Sequence, residues 1–164
     1  MNPCPCGYFT DPGHSCNCTG PHIQRYLGRI SGPLMDRIDI HVDVAPVAYR
    51  DLSSSMPTGE ISSEIRKRVI RARKLQEERF VNVQGLYCNA SMNSPMVRKY
   101  CRLSDDVSKL LKSAMELYGF SARAYDRIVK VSRTIADLAG SSDIESAHIA
   151  EAVQYRSMTG QIYP

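Results

Sequence analysis

The sequence predicts a mainly α protein, a helical bundle preceded by a cysteine-rich loop and a short β segment. Three observations predict it. From residue 60 onward, apolar side chains recur at helical spacing between capping residues. The first twenty residues instead hold Pro3, Pro5, Gly7, Pro12, Gly13, Gly20 and four of the six cysteines, with only Tyr8 and Phe9 as large apolar groups. Such a stretch has too little to bury to offset the entropy of ordering it. Between the two lies Ile38-Asp39-Ile40-His41-Val42-Asp43-Val44, whose strict alternation is the period of a half-buried strand.

Taken in order, the elements are as follows. Ile23, Tyr26 and Leu27 are helically spaced after Pro21 and give a short helix near 21–28. The strand over 38–44 ends at Pro46. Residues 51–59 combine three serines with a proline and a glycine, carry no period and read as a linker. Ile61, Ile65, Val69, Ala72 and Leu75 then form one stripe of a helix of about twenty residues, with Arg66, Lys67, Arg71, Lys74 and Glu78 outside it. Residues 81–95 are irregular. Ser94-Pro95 starts a short helix through Cys101, with the proline at the first helical position. Ser104, Asp105 and Asp106 place a cap and two acids at the positive end of a helix near 105–118, and Gly119 stands where it should stop. Ser121 caps the next helix, whose apolar face is Tyr125, Ile128, Val129, Ile135, Ala136 and Ala139, and Gly140 ends it. The last, about 143–156, starts at Asp143 and buries Ile144, Ala147, Ile149, Ala150 and Val153. The chain thus divides into 1–50, a linker at 51–59, and a helical unit over 60–164.

Composition narrows the class. The 164 residues are 43% hydrophobic and 23% charged, with mean hydropathy −0.30. No stretch approaches the roughly 18 to 20 apolar residues that a membrane-spanning helix needs. The first residues carry neither the basic lead nor the apolar run of a secretory signal, so the expected location is cytoplasmic and the cysteines are read as thiols. Twenty-one basic against 17 acidic residues leave +4, compatible with nucleic acid without implying it.

Cys4-x-Cys6 and Cys16-x-Cys18 supply four soft ligands in fifteen residues, the number that a tetrahedral Zn²⁺ takes. On a loop with no apolar core, the energy of binding the ion would be folding energy. The competing reading is four ordinary reduced cysteines, or disulfides under oxidising conditions. His14 and His22 are candidate substitutes for one sulfur, and Cys88 and Cys101 read as simple buried thiols.

The sequence contains no Gly-x-x-x-x-Gly-Lys-Ser/Thr, no Gly-x-Ser-x-Gly and no His-Glu-x-x-His. Two arginines stand out instead: Arg37, at a turn entering the expected strand, and Arg123, in the first turn of a helix, where its charge opposes the dipole. The bland account of each is an exposed arginine paired with a nearby acid, since Asp36, Asp39 and Asp126 are at hand. Arg127, Lys130 and Arg133 line the polar side of the same helix and read as a solvated face, with DNA contact the alternative.

Several rare strings occur in one order: Asn2-Pro3-Cys4-Pro5-Cys6-Gly7, then Arg25-Tyr26-x-x-Arg29-Ile30-Ser31-Gly32-Pro33-Leu34-x-Asp36-Arg37-Ile38-Asp39, then Arg68-Val69-x-x-Ala72-Arg73-x-x-Gln76-x-x-Arg79, Ser121-Ala122-Arg123, Arg133-Thr134-Ile135-Ala136-Asp137-Leu138-Ala139-Gly140, and Glu151-Ala152-x-Gln154-Tyr155-Arg156. Along its whole length the chain resembles the magnesium-chelatase-like AAA+ ATPases of the competence ComM/YifB type. The resemblance implies a C-terminal piece of such a protein: the end of a truncated α/β ATPase core, then the helical lid. Family members carry the phosphate loop and acidic Mg²⁺ site upstream of the Asn-Pro-Cys string.

By the same resemblance, Asn2 matches the sensor 1 asparagine that helps orient the attacking water. Arg37 matches the arginine finger, offered to the neighbouring subunit's nucleotide, with Arg29 a weaker alternative. Arg123 matches sensor 2, which reads the γ-phosphate of its own subunit. The implied whole is a homo-hexameric ring using ATP and Mg²⁺, a helicase or branch-migration motor on DNA in recombination or natural transformation; Cys4, Cys6, Cys16 and Cys18, the expected Zn²⁺ ligands, are what the resemblance associates with the competence type. Two consequences are expected: no ATPase from this chain alone, and a segment 38–44 that lacks sheet partners and is disordered, forms a small hairpin or pairs with another copy. The alternative is a self-sufficient zinc-stabilised module that binds nucleic acid or protein.

Overall fold

The fold is a computed structural model that describes residues 2–45, 47, 49–53 and 59–157. The chain is mainly helical, in the order α1 (Gly20–Leu27), α2 (Gly32–Met35), α3 (Tyr49–Ser53), α4 (Ser62–Phe80), a 3₁₀ turn (Asn89–Ser91), α5 (Ser94–Tyr100), α6 (Asp105–Tyr118), α7 (Ala122–Ala139) and α8 (Ser146–Ser157). Most of the linker expected at 51–59 lies outside the described residues; of the rest, 51–53 end α3. No helix among the described residues is long and apolar enough to cross a membrane.

Chemistry local to the chain sets most of these boundaries. Ser104 Oγ accepts from the Val107 N–H and caps α6. Ser121 Oγ accepts from the Ala124 N–H at 3.3 Å and caps α7. Asn93 Oδ1 accepts from the Met96 N–H at 3.1 Å, with Pro95 in the first turn of α5. Gly119 and Gly140 end α6 and α7 at φ 63° and 75°, a backbone region that costs a glycine little.

α7 is the centre of the bundle, packed against α8, α4, α5 and the 3₁₀ turn. Phe80, Leu86, Met92, Val97, Val107, Leu111, Ile128, Val129, Ile144, Ile149 and Val153 close one contiguous core. A second, polar cluster is buried beside it. Arg79 Nη1 donates to Asp137 Oδ2 at 2.7 Å and to Asn89 Oδ1 at 2.8 Å, Asn89 Nδ2 donates to Asp137 at 2.8 Å, and Arg133 Nε donates to Asp137 at 3.1 Å. Every strong donor thus meets an acceptor, which makes burial of the charges tolerable.

Four expectations are corrected by this packing. Residues 38–44 form no strand; a ladder needs a second strand, and none exists among the described residues. The segment instead runs along α7 and α8, its His41 N–H donating to the Tyr155 carbonyl at 2.8 Å. On α4 only the C-terminal half touches the bundle, through Ala72, Gln76 and Phe80, so Ile61, Ile65, Val69 and Leu75 stay exposed. α8 starts at Ser146 rather than Asp143 and buries His148, Ala152 and Arg156 in place of Ala147 and Ala150. On α7 the expected face loses Tyr125 and Ala139, which are exposed, and gains Ser132, Arg133 and Asp137.

Candidate functional site

Two places hold chemistry that the fold does not need for its own packing. The first is the cysteine loop. A turn closed by the Gly7 N–H on the Cys4 carbonyl at 3.1 Å, with Gly7 at φ 88°, brings Cys6 back beside Cys4. The sulfurs lie 3.3 Å (Cys4–Cys6), 3.7 Å (Cys4–Cys16) and 3.6 Å (Cys6–Cys16) apart. All four Sγ atoms, Cys18 included, fall within 4.8 Å of one another. Zn–S bonds of about 2.3 Å in a tetrahedron put sulfurs ~3.8 Å apart, so the donor set fits that ion. Cys4 is buried, and its sulfur accepts from the Phe9 N–H at 3.3 Å.

The thiols resist losing their protons together. The Tyr8 backbone N–H and the Cys4 thiol bring the Cys6 pKa down to about 6. Cys18 receives a bond from the Cys6 backbone, yet its contact with the Cys6 sulfur, burial and the other two cysteines push it up to about 12. The shared sulfur–sulfur hydrogen bonds favour the thiolate at Cys6 and the thiol at Cys18, so these two groups are driven apart. His14 is not in the group: its Nδ1 bonds Asp11 at 3.0 Å and its ring stacks on Tyr8. Neither is His22.

The second place is one end of the bundle, where the turn after α2 meets the first turn of α7. Arg37 sits in that turn and Arg123 in the first turn of α7, both exposed. Ser121 Oγ donates to Asp36 Oδ2 at 3.2 Å and so ties the two together. The nearby acids are engaged elsewhere. Asp36 also takes Arg156 Nη2 at 3.4 Å, Asp39 pairs with Arg127, and Asp126 accepts from Ser94 at 2.5 Å. Among the described residues, no acid pairs with Arg37 or Arg123. Asn2 is exposed at the start of the cysteine loop, its amide against Gly7, and no hydrogen bond joins it to either arginine. Arg29 is exposed after α1.

A family model described as magnesium chelatase, subunit ChlI C-terminal, matches residues 59–156, and one described as magnesium chelatase, subunit ChlI, matches residues 1–52. The chain belongs to the magnesium chelatase ChlI family. It is similar to competence protein ComM of Haemophilus influenzae, 41% identical over 159 residues that cover 96% of this chain and 30% of that protein. YifB of Escherichia coli is 36% identical over 158 residues, 96% of this chain and 30% of that protein. Rv2897c of Mycobacterium tuberculosis is 35% identical over 155 residues, 94% of this chain and 30% of that protein. The chain therefore spans about 30% of the length of the curated relatives it matches.

Within this member of the family, the polar side of α7 is not the solvated face its spacing suggested. Arg133 is buried, its guanidinium donating to the Ser141 and Ser142 carbonyls at 2.7 and 2.8 Å. Arg127 is taken by Asp39, and Lys130 Nζ donates to the Ala90 carbonyl at 3.1 Å. Cys101 is buried as expected, and burial pushes its thiol up to about 11. Cys88 is only half-buried, bonded to Ser91 at 3.3 Å. Sequence reasoning missed Arg156. It is 5% exposed, and its string Gln154-Tyr155-Arg156 carried the family pattern without revealing that the guanidinium reaches Asp36 and Ile38.

Proposed function

We propose that this chain is the C-terminal portion of an ATP-driven AAA+ motor that acts on DNA. Arg37 is its arginine finger, serving a neighbouring subunit; Arg123 is sensor 2, and Asn2 is sensor 1. In this reading residues 1–50 end the ATPase core, 51–59 link, and 60–164 form the lid. The observation that carries it is the pairing of the acids. Asp36, Asp39 and Asp126 each lie within three residues of Arg37 or Arg123 and could have neutralised it, and each is bonded elsewhere, leaving Arg37 and Arg123 exposed at one end of the bundle.

An unpaired guanidinium in the first turn of α7 faces the positive end of the helix dipole and contributes nothing to the fold. A bound anion would reverse that balance, and a planar fork of donors suits phosphoryl oxygens. A finger supplied in trans is worth about 10³ to 10⁵ in rate. ATP and Mg²⁺ would be held by a phosphate loop and acids of the kind this sequence lacks. Zn²⁺ would be held by Cys4, Cys6, Cys16 and Cys18, where it fixes the loop that starts at Asn2. The name of the competence protein ComM supports placing the motor in recombination or natural transformation, as a branch-migration or helicase activity of a cytoplasmic homo-hexamer.

The test is a chimera in which this chain replaces the matching segment of Haemophilus influenzae ComM. ATP hydrolysis is measured with and without forked DNA. The chimera is expected to turn over, Arg37→Ala and Arg123→Ala each to lower kcat at least 100-fold, and the isolated 164-residue chain to hydrolyse nothing. Turnover by the isolated chain, or full activity of both variants, overturns the reading.

A second reading, a zinc-stabilised module that binds nucleic acid or protein, is favoured by Tyr8 and Phe9, exposed on a loop that a metal would hold rigid. Tight, salt-steep DNA binding by the isolated chain, measured by fluorescence anisotropy at two salt concentrations, would select it.

A further inference from the structure

The turn that carries Arg37 is closed by backbone bonds to α2 and fastened on both sides of that residue to the N-cap of α7, to α7 itself and to α8. Resting on the roles proposed above for Arg37 and Arg123, we infer that Asp36 and Arg156, with the Asp39–Arg127 pair, are positioning residues that join the finger turn to the sensor helix as one rigid body. The nucleotide read by Arg123 in one subunit then sets the reach of Arg37 into the next.

The fastenings alternate along the turn. Asp36 accepts from Ser121 Oγ and from Arg156 Nη2. Arg37 is skipped. The Ile38 carbonyl accepts from Arg156 Nη1 at 2.8 Å, the Asp39 carboxylate accepts from Arg127, and the His41 N–H reaches the Tyr155 carbonyl. Ser121 joins the two sides. Its hydroxyl oxygen accepts from the Ala124 N–H as the cap of α7 while its proton goes to Asp36, so the helix end that bears Arg123 and the turn that bears Arg37 share one atom.

Stability does not account for this arrangement. None of residues 36–41 is buried. The partly exposed Asp39–Arg127 pair contributes little to folding, whereas several bonds from two directions fix an angle. The side that gives the bonds is itself rigid, since α7 and α8 pack on each other through Ile128, Val129, Ile149 and Ala152, and Arg156 is 5% exposed. The Arg156 guanidinium is held by its surroundings rather than free to sample solvent, and lies among Asp36, Asp39 and Arg127, so the cluster is charge-balanced. A finger set this way keeps its direction only while the lid keeps its own.

The test uses the same ComM chimera and reads kcat and KM for ATP separately. Asp36→Ala is expected to lower kcat at least tenfold with KM within twofold, because binding in the subunit's own site does not depend on the finger's direction. Asp39→Lys and Arg127→Glu are each expected to lower kcat, and the double variant, which restores the pair with its charges exchanged, to return within threefold of the parent. Thermal unfolding of the isolated chain checks each variant. If Asp36→Ala melts several degrees low, the exchanged pair, built on half-exposed side chains, carries the test. Asp36→Ala within twofold of the parent while Arg37→Ala is inactive overturns the inference and leaves the finger intact. A double variant no faster than the slower single variant also overturns it. If Arg37→Ala itself is fully active, the finger role falls and the inference falls with it.

Discussion

Among the described residues, the first fifty positions bury one side chain, Cys4, whereas the positions from 60 onward hold every other buried side chain, from Ala72 to Arg156. The two regions are therefore held in different ways. The bundle follows from apolar burial, caps and a satisfied polar cluster, all internal to it. The first fifty residues have no such core and depend on polar fastenings: four sulfurs brought together at one end, and the bonds from α7 and α8 at the other. One region supplies its own stability and the other borrows it, which suits a region whose side chains are offered to something else.

The largest effect expected from this contrast is on removing metal. Protein purified without chelator should carry about one zinc per chain by elemental analysis. Stripping it, or Cys4→Ser, should abolish protection of residues 2–19 from proteolysis and hydrogen exchange, because binding free energies of about 10 to 16 kcal/mol at structural zinc sites are folding energy for the loop. The melting of the helical unit should stay within a degree or two. Zinc well below stoichiometry with intact thiols would remove the metal from the comparison, and a bundle that melts with the loop would remove the comparison itself.

Next in size is Asp137→Ala. It strips the shared acceptor from Arg79, Asn89 and Arg133 and leaves buried cations unpaired, a loss of about 3 to 5 kcal/mol readable by urea denaturation. The pH dependence has the same origin. Burial would raise the Asp137 carboxyl, but the bonds from Arg79 and Asn89 outweigh it and hold the pKa below the ordinary value. A group depressed in the folded state stabilises above its unfolded pKa and loses that contribution as pH falls through the folded one. The bundle should thus weaken in acid, below about pH 4, and Asp137→Ala should show a flatter acid limb. Smaller again is Ser104→Ala, which removes one cap from α6 and should cost about 1 kcal/mol with no change in the loop.

How much of this could be read in advance divides along the same line. α6 and α7 were legible from Ser104, Gly119, Ser121 and Gly140, because a cap acts within four residues of itself. α2 is not legible because four residues are too few to show a period, and α3 escapes for the same reason, its last three residues falling in the expected linker. The alternation over 38–44 is the period of a strand, but pairing is a property of two segments; the missing sheet partners are legible, while the seat of the segment along α7 and α8 is not. Buried Arg156, and the buried Asp137 on which Arg133 bonds, are illegible because partners of each come from elsewhere in the chain. Asp137 meets Arg79 across 58 positions and Asp36 meets Arg156 across 120. At the candidate site, the cysteines and the two arginines were visible as residue types, while the fate of the three acids, which decides whether the arginines are free, was not.

The smallest effect bears on the fastening itself. Asp39 and Arg127 are partly exposed, with side-chain exposures of 46% and 27%, so their pairing should contribute little to stability. A double-mutant cycle with Asp39→Asn and Arg127→Gln on this chain should give a coupling of about 0.2 to 1 kcal/mol. The same variants should raise hydrogen exchange at the His41 amide, whose bond to the Tyr155 carbonyl depends on the segment staying against α8, and leave the amides of α7 unchanged. Local opening of that kind costs far less than global unfolding, so exchange detects it when melting does not. A coupling near zero together with unchanged exchange would mean that residues 36–41 rest on the bundle without being held by it, and the distinction between a self-supporting bundle and a fastened region would then apply only to the cysteine loop.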